Sequence, residues 1–87
     1  MITTAQFSVD GTAVKLVSTS QVPKMVTIHD VSNGNLFING TNAVTSTTGL
    51  LVDKLTGPFT FEIGPNDEVW AIAGTGTHTV SVMVITL

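Results

Sequence analysis

Apolar and polar residues alternate with a period of two from one end of this chain to the other, and no window carries an i, i+3, i+4, i+7 apolar stripe of useful length. A chain patterned in this way folds as sheet. Phe59-Thr60-Phe61-Glu62-Ile63 shows the alternation most cleanly, and Phe59, Phe61 and Ile63 are expected to be buried. In Met25-Val26-Thr27-Ile28-His29-Asp30, Val26 and Ile28 take the core face while Thr27 and His29 take the other. The last segment, His78 to Thr86, is apolar on both faces. Val80, Val82 and Val84 form one row, and Met83, Ile85 and Leu87 form the other.

Turn signals separate these runs. Asp10-Gly11 follows Phe7 and Val9 and leads into a strand from Thr12 to Val17, which reads as a hairpin. Ser18 to Pro23 is a polar connection ending at a residue that cannot donate to a ladder. Ser32-Asn33-Gly34-Asn35 turns Lys24–Asp30 onto Leu36-Phe37-Ile38 as its partner, before a second Asn-Gly at Asn39-Gly40. Residues 41–57 read as a long Thr-rich loop holding one short strand, Gly49 to Val52. Gly64-Pro65-Asn66-Asp67 suits a type I turn with Pro at its second position. Glu68–Ala73 and His78–Thr86 flank Gly74-Thr75-Gly76-Thr77 as a terminal hairpin. The sum is an all-β single domain over residues 1–87, a small antiparallel sandwich or barrel of about seven or eight strands.

Composition narrows the function. Hydrophobic residues make up 43% of the chain and charged ones 10%, against about 25% charged in typical soluble domains, so Thr, Ser and Asn do the solubilising. A surface poor in Lys and Glu is cheap to desolvate in an interface. With three basic residues and a net charge of −3, the counterion-release term that drives nucleic-acid binding is nearly absent, and no nucleic-acid partner is expected. There is no Cys, so disulfides and thiolate metal ligands are excluded. Met1-Ile2-Thr3-Thr4 lacks a basic region followed by an apolar run, so no signal peptide is expected. No apolar stretch approaches the roughly 20 residues of a spanning helix, and no membrane role is expected.

The residues that carry chemistry elsewhere fall into no recognisable constellation. His29 and His78 belong to neither an H-E-x-x-H nor a His-x-His pattern, and both are expected to face solvent. Asp30 points away from His29 across the strand, so only a partner brought by the fold completes a site there. Asp67 and Glu68 diverge as neighbours, and no G-x-S-x-G surrounds any Ser. Gly74-Thr75-Gly76 lacks the third glycine and the following helix of a phosphate loop. Asn39-Gly40-Thr41 fits a glycosylation sequon but reads as a turn. The expectation is no catalytic residue, cofactor or metal.

One thin domain gives a core to only one row of its last strand. Met83, Ile85 and Leu87, with Trp70 and Ile72, are therefore expected to meet a neighbouring subunit. Residues 1–8, with Ile2, Thr3, Thr4 and Phe7, are expected to act as an extended arm that adds a strand to a partner. Trp70, the only Trp, also suits a sugar-stacking platform if it stands exposed beside Asn and Asp in a groove.

Four blocks carry a resemblance. They are Gly11-Thr12-Ala13-Val14-Lys15-Leu16; Val26-Thr27-Ile28-His29-Asp30 with Gly34-Asn35-Leu36-Phe37-Ile38-Asn39-Gly40; Val44-Thr45-Ser46-Thr47-Thr48-Gly49-Leu50-Leu51; and Asp67-Glu68-Val69-Trp70-Ala71-Ile72-Ala73 with Thr79-Val80-Ser81-Val82. In order and spacing they resemble small β-structured virion proteins of tailed bacteriophages, while Asp53-Lys54 departs from the smoother Gly/Pro loop of that group. The resemblance implies a non-enzymatic component that decorates or cements the outside of a head. It implies the major capsid protein or another virion protein as partner, a homo-oligomer with three copies favoured, and residence in a virion assembled in the bacterial cytoplasm. A neck, tail or baseplate component and a carbohydrate-binding or adhesion module are the competing expectations.

Overall fold

The computed structural model describes residues 1–87, apart from the side chain of Thr56. Eight strands run in order: β1 (Ile2–Val9), β2 (Val14–Val17), β3 (Lys24–Asp30), β4 (Asn35–Asn39), β5 (Leu50–Asp53), β6 (Phe59–Ile63), β7 (Val69–Ala73) and β8 (His78–Thr86). A single 3-10 turn, Lys54–Thr56, joins β5 to β6. Two antiparallel four-stranded sheets result, β1-β8-β3-β6 and β2-β7-β4-β5. The pairs β1·β8, β2·β7, β3·β6 and β4·β5 are the rungs of one long ribbon folded back on itself. Rolling the ribbon brings β8 beside β3 and β7 beside β4, which is the jelly-roll order of a small β-sandwich.

The expected local hairpins do not form. β4 and β5 are the only strands consecutive in the chain that also pair. At Asp10-Gly11, at residues 31–34 and at residues 74–77 the chain instead crosses from one sheet to the other. The turn chemistry was legible: Asp10 Oδ1 accepts from the Thr12 N–H at 2.9 Å, and Asp30 Oδ1 accepts from the Ser32 N–H at 3.0 Å. Its direction was not, because the same Asx turn serves a step of about 4.8 Å to a neighbouring strand or about 10 Å to the facing sheet. The crossing loops bind each other, with Ala73 N–H donating to Asp10 O, Gly74 N–H to Asn35 O and Val31 N–H to Thr79 O. Asn66 has φ +68° behind Pro65, which makes its turn type II instead of the expected type I.

Inward residues follow the predicted parity. Val26 and Ile28 on β3, Val80 and Val82 on β8, Leu36 and Ile38 on β4, and Ala71 and Ala73 on β7 are buried between the sheets. A register shift between Lys15 and Val17 lets the short β2 bury both Leu16 and Val17. Phe59, Phe61 and Ile63, expected to be buried, are only half-buried. They point inward from the edge strand β6, but β5 opposite them is four residues long, so the sandwich stays open there as a groove of about 620 Å³ with Leu50, Ile38 and Val69 on its other wall.

Candidate functional site: outer faces, open edges and a buried His–Asp pair

The five residues expected at one interface divide between the two outer faces. On sheet β1-β8-β3-β6, Ile85 lies in register between Ile2 and Met25, and Met83 lies between Thr4 and Thr27. Met83 and Leu87, just past β8, are exposed, as are Ile2 and Met1, and Ile85 is half-buried among them. The row is apolar across β1, β8 and β3 and ends at the exposed Glu62 of β6, in register with Met25. Trp70 and Ile72 lie on the outer face of the other sheet, where Ile72 is flanked by Phe37 and Trp70 by Lys15 and Asn39. A single flat contact therefore takes Met83, Ile85 and Leu87 or takes Trp70 and Ile72.

Trp70 is half-buried and its polar handle is used. Its Nε1–H donates to Glu68 Oε1 at 2.8 Å, Lys15 Nζ sits 5.3 Å from the ring centroid, and the same ammonium pairs with Glu68 at 3.5 Å. This cluster covers the ring with a cation and a carboxylate, at an exposed-site value of about 0.5–1 kcal/mol for the cation–π contact. The groove that opens along β5 and β6 does not include Trp70.

The expected arm is a strand. Ile2, Thr3, Thr4 and Phe7 belong to β1, which is in register with β8 from Ile2↔Ile85 to Val9↔His78. Phe7 turns inward and is half-buried, while Thr3 and Ala5, of the same parity, stay exposed because β2 is too short to cover them.

Sequence reasoning missed the one buried polar constellation among the described residues. His78, expected in solvent, is 1% exposed and Asp30 is 0% exposed. His78 Nδ1 lies 2.7 Å from Asp30 Oδ2 and Nε2 lies 3.1 Å from the Thr75 carbonyl oxygen. Both ring nitrogens face oxygen atoms, so the ring is held from two sides. Asp30 spends its other oxygen on the Ser32 N–H, and Ser32 Oγ accepts from the Thr79 N–H at 2.9 Å. The pair thus ties the end of β3, the start of β8 and the loops beyond them into one network. With both nitrogens committed and the ring out of solvent, His78 has no free face for a substrate. The available signal was parity: His78 shares its face with Val80, Val82 and Val84, as Asp30 does with Val26 and Ile28. His29 is half-buried on the outer face beside Ser81, where alternation puts it.

Gly34 closes this network. Its φ is +116°, and a Cβ there would lie 3.0 Å from His78 Nε2 and 3.1 Å from Cε1. Gly34→Ala is expected to cost about 1–3 kcal/mol through backbone strain, and to push the ring off Thr75. Urea unfolding checks the cost, and the His78 imidazole NMR signals check the ring. A variant within error of the parent in both would show that the loop moves aside freely.

No family model matches this chain. No curated protein matches it either. A solved structure from the endospore appendages of Bacillus, described as a novel family of disulfide-linked pili, is similar over 100% of this chain and 86% of its own, with a TM-score of 0.61 and 16% identity. At that identity the likeness extends to the fold.

Proposed function

We propose that this chain is a structural building block that works by protein–protein contact, and that its station is the outer surface of a bacteriophage head, which it decorates or cements. The observation that carries the reading is the apolar patch formed by Ile2, Met25, Met83, Ile85 and Leu87 on an outer sheet face, with Glu62 at its β6 margin. A domain with little charge to desolvate gains from covering such a row, and many copies on one shell add through avidity. The jelly-roll order supports it, since shells are among the structures that this fold builds. The polar side chains that suggested chemistry are spent internally, on Asp30–His78 and on Trp70–Glu68–Lys15.

A second reading, a subunit of a fibre, is favoured by the likeness to the Bacillus pilus structure. Without Cys such a fibre would not be held by disulfides. Co-sedimentation of the purified protein with empty heads, and separately with tails, distinguishes the two, with electron microscopy of the protein alone as the fibre control. Saturable binding to heads, lost in Met83→Lys/Ile85→Lys at unchanged thermal stability, is the expected result. Binding to tails or fibres formed by the protein alone would move the station. A protein that ignores both particles and never assembles would sink the structural reading.

A further inference from the structure

The geometry points to a contact that the sandwich leaves open: we infer that β1 pairs antiparallel with β1 of a second copy about a twofold axis at Ala5, joining two sheets into one of eight strands. Four strands lie at sheet edges, and three of them are blunted in ways that discourage pairing. β2 has four residues, an irregular register and an exposed Lys15. β5 has four residues and runs straight into the 3-10 turn. β6 starts behind Pro58 and exposes Glu62. β1 is different: it has eight residues, with no charge, Pro or Gly anywhere in Ile2–Val9.

The direction of its main chain follows from the ladder. Thr86 N–H donates to Met1 O at 2.9 Å, so Met1 and Thr86 form a hydrogen-bonded pair in the β1·β8 register. Antiparallel ladders alternate such pairs, so Thr3, Ala5, Phe7 and Val9 turn their N–H and C=O toward β8. Ile2, Thr4, Gln6 and Ser8 turn theirs outward to the open edge. A second β1 meets all of these groups in one register, with Ile2 facing Ser8 of the second copy, Thr4 facing its Gln6, and Ala5 facing Ala5 on the axis. That register pairs Ile2, Thr4, Gln6 and Ser8 of both copies, sets no like charges opposite each other, and brings the smallest side chain of the strand to the closest approach. It also places the apolar Ile2–Ile85–Met25 rows of the two copies on one continuous outer face.

This inference deepens the structural reading by naming a second copy as partner, and it predicts an even-numbered assembly where the phage resemblance implies three. Cα atoms of a non-hydrogen-bonded antiparallel pair lie about 4.5 Å apart, within the disulfide range of about 4.4–6.8 Å. The chain has no Cys of its own, and Ala5 is exposed, so Ala5→Cys is a clean reporter. Sedimentation of the parent should show a dimer. Mild oxidation of Ala5→Cys should cross-link at least about tenfold faster than Leu55→Cys, whose position is 94% exposed in the 3-10 turn and distant from the axis. Thr4→Lys/Gln6→Lys, which sets like charges across the axis, should give a monomer of near-parental melting temperature. Thr4→Lys/Gln6→Glu should restore the dimer. A parent that is monomeric up to about 1 mM, a trimer, or a dimer in which Ala5→Cys links no faster than Leu55→Cys overturns the inference. A monomer that still binds heads would overturn this contact alone, whereas a dimer that binds no particle would leave it standing.

Discussion

Asp30→Ala is expected to destabilise the fold by about 2–6 kcal/mol, since it strips two polar groups of their partner at about 1–3 kcal/mol each, while Asp30→Asn costs about 1.5 kcal/mol or less. The difference lies in the hydrogen-bond inventory. Ala leaves the His78 ring, 1% exposed, without an acceptor at Nδ1, and leaves the Ser32 N–H without Asp30 Oδ1. Asn keeps an oxygen for Ser32 and offers an N–H to Nδ1 of a neutral imidazole, whose Nε2–H still reaches Thr75 O. A chain of 87 residues has a total stability of about 4–13 kcal/mol, so at the lower end of that range the Ala variant stands near or past the unfolding threshold. Urea midpoints at constant m measure both costs. Equal losses in the two variants would mean that net charge, and not the count of satisfied donors, holds this end of the sandwich together.

The faces of the strands were legible from the residues, and the partners of the strands were not. Parity alone separates Val80, Val82 and Val84 from Met83 and Ile85, because a period of two leaves no freedom once one row is buried. The pairing of β1 with β8 joins residues near opposite ends of the chain, and nothing local encodes it. Asp10-Gly11, Asn33-Gly34 and Gly74-Thr75-Gly76 carry hairpin signals without forming hairpins, because the same small and Asx residues serve tight turns of either destination. The division of the candidate interface has the same origin. Trp70 and Ile72 are continuous with Met83 and Ile85 only if β7 and β8 are neighbours, and the crossing at residues 74–77 puts them on opposite sides of the molecule. His78 is a different failure. Its polarity points to solvent and its parity to the core, and an imidazole in a valine row is tolerated here because Asp30 arrives from β3 with a carboxylate.

Ile28→Ala is expected to cost about 2–5 kcal/mol, and Leu50→Ala no more than about 1 kcal/mol, although both side chains point between the sheets. Ile28 is 0% exposed, with Val82 beside it on one neighbouring strand and Phe59 on the other, so truncation leaves a cavity that a close-packed centre cannot collapse to fill. Leu50 is 53% exposed on the wall of the groove facing Phe59, Phe61 and Ile63, and water replaces what truncation removes. The comparison locates the core on β3 and β8 against β4 and β7, with β5 and β6 as an open margin. Urea midpoints again decide it. Equal costs would mean that the margin closes over Leu50 in solution and that the groove is part of the core. If the costs differ as expected, Leu50→Ala becomes a variant whose fold is intact, and any assembly it loses is lost at a contact surface.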